Sequence, residues 1–334
     1  MEEITQQQPG SENKCSFDVE GYSVHEIDEA TLEAFRYVES IPGKNVRGKL
    51  IDAFQFWLQI PPEKVHPIKE VISNLHNASL LIDDIEDNSK LRRGVPVAHK
   101  IYGVPTTLNT ANYVYFLALE KCLLLQNANA MKVFTSELLN LHRGQAHDIL
   151  WRDSGQCPSE DEYKAMVLDK TGGLFRLAVG LMQACSDDQT DFSPLLNELA
   201  LYFQIRDDYV NISSAWYSKT KGFCEDITEG KFSFPILHSI NSNPNDHRLI
   251  NILKQRTEDE DVKKYAVEWM EQTGSLTYTR EVINHHKDRV LDEISKLGGH
   301  PVLSKIIIDL DKQLDDRRPS NDEDPEEKPK LDTL

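Results

Sequence analysis

Two stretches of this 334-residue chain concentrate oxygen ligands at helical spacing. The first is Asp83-Asp84-Ile85-Glu86-Asp87. Asp83 and Asp87 are four apart, so on a helix they share a face. That face runs back through Ser79 to His76, and Leu80, Leu81 and Ile82 make its surroundings apolar. Carboxylates crowded at a partly buried helix end repel one another strongly, and a divalent cation removes that cost. Every candidate ligand is an oxygen, which suits Mg²⁺: it takes one or two carboxylates and completes its shell with substrate phosphates. The second stretch is Phe203-Gln204-Ile205-Arg206-Asp207-Asp208-Tyr209-Val210-Asn211. Leu196, Leu199, Phe203 and Asp207 fall on one stripe, which predicts an inward-pointing Asp207 with Asn211 one turn on. The first cluster alone reads more readily as a solvated helix end, balanced by Lys90, Arg92 and Arg93. Two such clusters, 124 residues apart (207 minus 83), on helices that can face each other, predict a metal cluster held between helices.

A metal-bound diphosphate also needs cations. Lys44 and Arg47 follow the Pro42-Gly43 turn at a helix start, and Arg92-Arg93-Gly94 follows the first acidic helix. Lys170-Thr171-Gly172-Gly173 ends another helix, and Lys221 and Lys231 flank Cys224 to Gly230. Each of these alone is an ordinary surface residue. Together they complement the two acidic clusters.

The elements that must position these groups read as helices. Apolar residues recur with a period near 3.6 through most of the chain. Breaks fall at Pro42-Gly43, Pro61-Pro62, Gly94-Val95-Pro96, Pro105 and Gly172-Gly173. A helix is predicted from about 107 to 125, and another opens at Pro194 and runs to about Ser213. Ser159 with Glu162, and Thr257 with Glu260, have capping-box spacing. Two or three more helices fit 257–314. The expectation is an all-α, single-domain helical bundle over residues 28–316, with disordered acidic ends at 1–27 and 317–334. Charge supports this division. The net charge is −18, of which residues 1–30 carry −7 and residues 315–334 carry −4, leaving −7 for the other 284. The acidic balance speaks against nucleic acid or an anionic membrane as main partner. The five cysteines form no C-x-x-C pair, which points to a reducing compartment. No apolar run approaches a membrane span, and the acidic start Met1-Glu2-Glu3-Ile4 fits no leader peptide, so a cytoplasmic location is expected.

From about Thr31 to Leu314 the sequence resembles the short-chain trans-isoprenyl diphosphate synthases, and within them the animal geranylgeranyl subgroup. The resemblance rests on Pro42 to Arg47, His76 to Ala98, Lys170 to Phe175, Phe203 to Asn211 and Phe223 to His238. It implies a helical bundle around a deep central cavity. It also implies an Mg²⁺-dependent prenyltransferase that joins isopentenyl diphosphate to dimethylallyl, geranyl or farnesyl diphosphate and makes geranylgeranyl diphosphate. By the same resemblance Lys44, Arg47, His76 and Arg93 hold isopentenyl diphosphate. Arg92, Lys170, Thr171, Gln204, Lys221 and Lys231 hold the allylic diphosphate. Asp83, Asp87 and Asp207 hold a cluster of about three Mg²⁺ ions, with Asp84, Asp208 and Asn211 beside them. Asp83, Asp87, Asp207 and Lys170 carry the catalysis: the diphosphate leaves, the isopentenyl double bond attacks the allylic cation, and a proton is lost. Such enzymes form dimers or trimers of dimers, so a homo-oligomer is expected.

Product length follows from cavity depth. Ala78 and Ser79 are small and lie below the first acidic cluster; the resemblance places the floor lower, near Tyr115, Phe116 and His142, which implies a twenty-carbon product. Ala146 and His147 depart from the family pattern. His147 either faces solvent or enters the cavity and alters product length. A terpene cyclase of the same fold would need Asn, Ser or Thr, and Glu at four-residue steps, but positions four and eight beyond Asn211 are Ala215 and Lys219. A non-catalytic subunit would be free to lose ligands, and none is lost.

Overall fold

The computed structural model describes residues 24–41, 43, 46–213 and 223–315, with only the backbone of Val24, Val46, Arg47 and Asp315. The long helix α4 (Pro62–Glu86) organises the bundle. Its apolar stripe of Ile68, Val71, Ile72, Leu75, Ala78 and Leu81 is fully buried. The stripe packs against α6 (Val104–Leu123) and α9 (Gly172–Gln183), and α3 (Val46–Leu58) closes it from another side. Burying each such side chain stabilises the fold by roughly 1.5–3 kcal/mol before entropy is counted. The second long axis is α10 (Ser193–Ser213), which packs on α15 (Ser275–Lys296), α9 and α8 (Glu160–Lys170). Between the two axes runs α9, which packs on both, and α7 (Ala128–Ser154) lies against α8 and α9.

The break between α8 and α9 falls at Thr171, with the glycine pair at 172–173 opening α9. Gly144 of α7 crosses there so closely that a Cβ on it would lie 2.4 Å from the backbone nitrogen of Lys170. Ser159 caps α8 with a complete capping box with Glu162. The second predicted box is not formed: α14 (Glu260–Gln272) is capped by Asp259, whose carboxylate accepts from the amides of Asp261 and Val262. Asn127, which the sequence pattern did not single out, caps α7 in the same way.

Two short helices, α1 (Val24–Thr31) and α2 (Glu33–Ser40), pack on α6, so helix begins inside the stretch expected to be disordered up to residue 27. The predicted helix at 107–125 starts three residues earlier, with Pro105 inside its first turn, where a missing N–H costs nothing. After α4 comes a two-residue hairpin, β1 (Leu91–Arg92) paired with β2 (Val95–Pro96). Its turn residues Arg93 and Gly94 both have positive φ (55° and 84°), the signature of a type I′ turn. The described residues end with α16 (Pro301–Asp315), packed on α15 and α3. No helix among the described residues is long and apolar enough to cross a membrane.

Candidate active site

The C-terminal end of α4 and the middle of α10 meet at the mouth of a cavity of about 390 Å³. Asp83, Lys170, Gln204, Asp207 and Lys231 form its polar end. Leu80, Tyr115, Leu141, Leu174, Phe175 and Phe203 form its apolar end. Beside the mouth is a smaller polar cavity of about 40 Å³, walled by Asp83, Asp87, Asp207 and three carboxylates of α11 (Glu225–Glu229): Glu225, Asp226 and Glu229.

The structure divides each acidic cluster into groups that face these spaces and groups that support them. Asp83 and Asp87 line the smaller cavity. Asp84 continues the buried stripe of α4 instead; it is 1% exposed and accepts from the Arg92 guanidinium at 2.8 and 3.0 Å. Arg92 also reaches Asp83 at 3.2 Å. On α10 the expectation for Asp207 is corrected: it is exposed at the mouth, and the buried member of the pair is Asp208. Both Asp208 oxygens are already hydrogen-bonded. Tyr163 donates its hydroxyl to one, which also accepts the Phe234 amide at 2.8 Å. The Gln204 amide donates to the other at 2.8 Å. Burial still pushes the Asp208 carboxyl up, although Lys231 opposes it. Asn211 is buried too, and its side-chain oxygen accepts from the Asp226 amide at 3.2 Å, which ties α11 to α10. Asp84 and Asn211 thus build the site from behind, while Asp208, buried and hydrogen-bonded, also borders the smaller cavity.

The cations assemble around a residue outside the predicted set. Asp148, on α7, accepts from Lys170 Nζ at 2.6 Å, and Lys231 Nζ lies 3.8 Å away. Burial alone would raise the Asp148 carboxyl, but Lys170 and Lys231 outweigh it and hold the carboxyl below its usual range. Both lysines are themselves pushed up: burial disfavours their charge, but Asp148 together with the other carboxylates around them (Asp83 and Asp87 at Lys170; Glu229, Asp226 and Asp87 at Lys231) more than compensates. Lys170 is also 4.0 Å from Asp83. Thr171 donates its hydroxyl to Gln204 Oε1 at 2.7 Å, so Thr171, Gln204, Asp208 and Tyr163 form one chain of hydrogen bonds. Gly144, Asp148 and Arg152 recur every four residues on α7, a spacing that marks one functional face. Gln145 belongs to the site as well, donating to Glu86 at 2.7 Å.

Other predicted residues separate. His76 and Ser79 line the cavity, as do Tyr115 and His142, whose rings lie 5.8 Å apart. Ala78 does not line it; it is fully buried among Ala111 and Val114 of α6. Phe116 is 68% exposed on the outside of the bundle. His147 is exposed and stacks on Trp151, so its departure from the family pattern does not reach the cavity. Arg93 lies away from both cavities and donates to the carbonyl of Ile41 at 2.7 Å, with its guanidinium against Gly43. Lys44 and Lys221 fall outside the described residues, as does the side chain of Arg47.

The donor set fits Mg²⁺. Among the described residues no three His, Cys, Asp or Glu side chains already converge at metal geometry. Mg²⁺ does not need such a cage, because it keeps waters and takes substrate phosphates beside one or two carboxylates. The accumulated negative charge supports the fit. Burial, Glu229 and Asp83 together push the Asp87 carboxyl well above its usual range.

Comparison with known proteins points the same way. The polyprenyl synthetase signature matches residues 28–270. A protein of Matsumurasca onukii named terpene synthase is 54% identical over 285 residues, covering 85% of this chain and 94% of that protein. A geranylgeranyl pyrophosphate synthase of Dictyostelium discoideum is 51% identical over 290 residues, covering 87% and 96%. Another of Apiospora sacchari is 61% identical over 248 residues, covering 74% and 75%. With its helical architecture and this extent of match, the chain belongs to the polyprenyl synthetase family.

Proposed function

We propose that this chain is an Mg²⁺-dependent trans-prenyltransferase that condenses isopentenyl diphosphate with dimethylallyl, geranyl and farnesyl diphosphates to make geranylgeranyl diphosphate. The observation that carries the reading is the single cavity, with carboxylates and lysines at one end and leucine and aromatic side chains at the other. An allylic diphosphate has this polarity. Lys170 and Lys231 neutralise its diphosphate, and Thr171 and Gln204 orient it. Asp83, Asp87 and Asp207 hold the metal, which supplies further positive charge to the leaving diphosphate. Lys44, Arg47, His76 and Arg93 take isopentenyl diphosphate. Catalysis is preorganised electrostatics away from water. The Phe175 and Phe203 rings, 5.7 Å apart, wall the path of the hydrocarbon.

A homo-oligomer is favoured by Phe116, Leu123, Leu139 and Leu150, large apolar side chains exposed on α6 and α7. A cytoplasmic location accords with the lack of a membrane-length apolar helix among the described residues.

The test is a product assay with the purified chain, Mg²⁺, isopentenyl diphosphate and each allylic diphosphate. Geranylgeranyl diphosphate is the expected product. Hydrocarbon alone, as the name of the Matsumurasca relative would lead one to look for, rejects the synthase reading. Asp83→Ala and Asp207→Ala should each abolish most turnover; normal activity in both would overturn the metal assignment.

A further inference from the structure

Arg152 shares the functional face of α7 with Gly144 and Asp148 but has been given no role of its own. It stands on α7 one turn beyond Asp148, with its side chain 9% exposed. Its Nη1 donates to Asp87 Oδ1 at 2.8 Å and to the carbonyl of Glu86 at 3.1 Å. Its Nε donates to Asp153 Oδ1 at 3.1 Å, which also accepts from Arg256 at 2.8 Å. The Asp87 side chain is 11% exposed and lines the smaller polar cavity, but Arg152 lines neither cavity. Arg152 therefore holds a candidate metal ligand from outside the space where metal and diphosphate would sit.

The neighbouring contacts give this pair a direction of exchange. Asp148 is held by Lys170 and approached by Lys231, the two lysines read above as diphosphate ligands. If a diphosphate draws them away, Asp148 is left buried with its charge uncompensated, which is costly. Arg152 is the cation one turn along the same face, in the favourable order of acid before base at i and i+4. It keeps its bonds to Asp153 and to the carbonyl of Glu86 as anchors if it gives up Asp87. Asp87 is then released to a cation.

We infer that Arg152 is a positioning residue that competes with the divalent cation for Asp87 and couples cation uptake to diphosphate binding. The partners shift in sequence: the lysines pass from Asp148 to diphosphate, Arg152 passes from Asp87 to Asp148, and Asp87 passes to the cation. A cation offered without diphosphate has to displace Arg152 unaided and binds weakly. The inference rests on the proposed roles of Lys170, Lys231 and Asp87.

The test uses the full chain, Mn²⁺ as a spectroscopic stand-in followed by electron paramagnetic resonance, and unreactive farnesyl thiolodiphosphate. The wild type should bind Mn²⁺ more tightly when the analogue is present. Arg152→Met should tighten Mn²⁺ binding without the analogue by about tenfold and shrink the gain from adding it, within the usual range of coupling between sites. A purely structural role for Arg152 would not strengthen cation binding. Asp148→Asn provides a second route if Arg152→Met folds poorly: with no carboxylate to receive Arg152, the gain from the analogue should fall. Unchanged or weaker Mn²⁺ binding in folded Arg152→Met, or an undiminished gain in Asp148→Asn, overturns the inference while leaving the prenyltransferase reading intact. Failure of the wild type to bind Mn²⁺ even with the analogue overturns that reading, and this inference with it.

Discussion

Substituting Gly144 by alanine separates the stability of the bundle from the placement of its chemistry. The added Cβ would lie 2.4 Å from the backbone nitrogen of Lys170 and 2.8 Å from its Cα. Ordinary contact begins at 3.4 Å, so the backbone of residue 170 must retreat by about 1 Å (3.4 minus 2.4). Overpacking of this kind costs about 1–3 kcal/mol. Alanine is the better helix former by about 1 kcal/mol, which offsets part of that cost. The net loss of stability is then about 0–2 kcal/mol, a shift of a few degrees in Tm. The chemistry is less forgiving. Lys170 Nζ sits 2.6 Å from Asp148, and a misplacement of about 1 Å at such a group can lower the rate about 100-fold. Gly144→Ala should therefore reduce kcat with farnesyl and isopentenyl diphosphates about 100-fold while remaining folded. Gly180→Ala is the control. Its Cβ would lie 2.6 Å from a methyl of Val133, so it crowds α7 against α9 rather than α8, more than two turns from the start of α9 and away from Lys170. It should destabilise without a comparable loss of kcat. A wild-type kcat in Gly144→Ala, or an equal loss in Gly180→Ala, would refute the reasoning.

Tyr163→Phe removes one donor from the buried Asp208 carboxylate, costing about 1–3 kcal/mol of stability in a urea melt. It should also raise KM for the allylic substrate more than it lowers kcat, because Asp208 orients Gln204; a change confined to stability would contradict that. Ser79→Phe places a ring one turn, about 5.4 Å, below Asp83 and should shorten the product as seen by chromatography, whereas His147→Leu should leave the product profile unchanged. Asn127→Ala should cost about 1–2 kcal/mol through loss of the α7 cap, visible in the denaturation midpoint and without effect on KM.

The parts of this structure that were legible from sequence are those with local causes. Helix periods, the break at Pro61-Pro62 and the Ser159 cap are set within a few residues, and they stand where the pattern put them, while Pro105 falls inside the first turn of α6 rather than ahead of it. The residues nearest the mouth, Asp83, Asp87 and Asp207, stood out because two acidic clusters with helical spacing are conspicuous. Which carboxylate of each pair faces the cavity was not legible in full. The stripe rule assigned Asp207 to the interior, but the rotation of α10 is decided by its packing on α8, α9 and α15, which buries Asp208 instead. Asp148 and Arg152 escaped notice because a lone acid or base on a long helix looks like surface until the partner helices are placed. The Thr257 cap failed for a local reason: the helix starts two residues later than its spacing implied, so Asp259 takes the amides of Asp261 and Val262 while Thr257 accepts only from the Asp259 amide ahead of the helix.

The sharing of Asp148 between Lys170 and Lys231 also bears on the order in which the site comes together during synthesis. The acidic end of α4 leaves the ribosome first, and Lys231 follows the last of its carboxylates, Asp87, by 144 residues (231 minus 87). At elongation rates of about 5–20 residues per second, that interval lasts roughly 7 to 30 s. Until it ends, the nascent chain carries Asp83, Asp87 and Asp148 without the second of their lysine counter-charges. The bundle can begin to pack around α4, α6 and α9 before then, but its charged centre cannot be completed until two-thirds of the protein has been made.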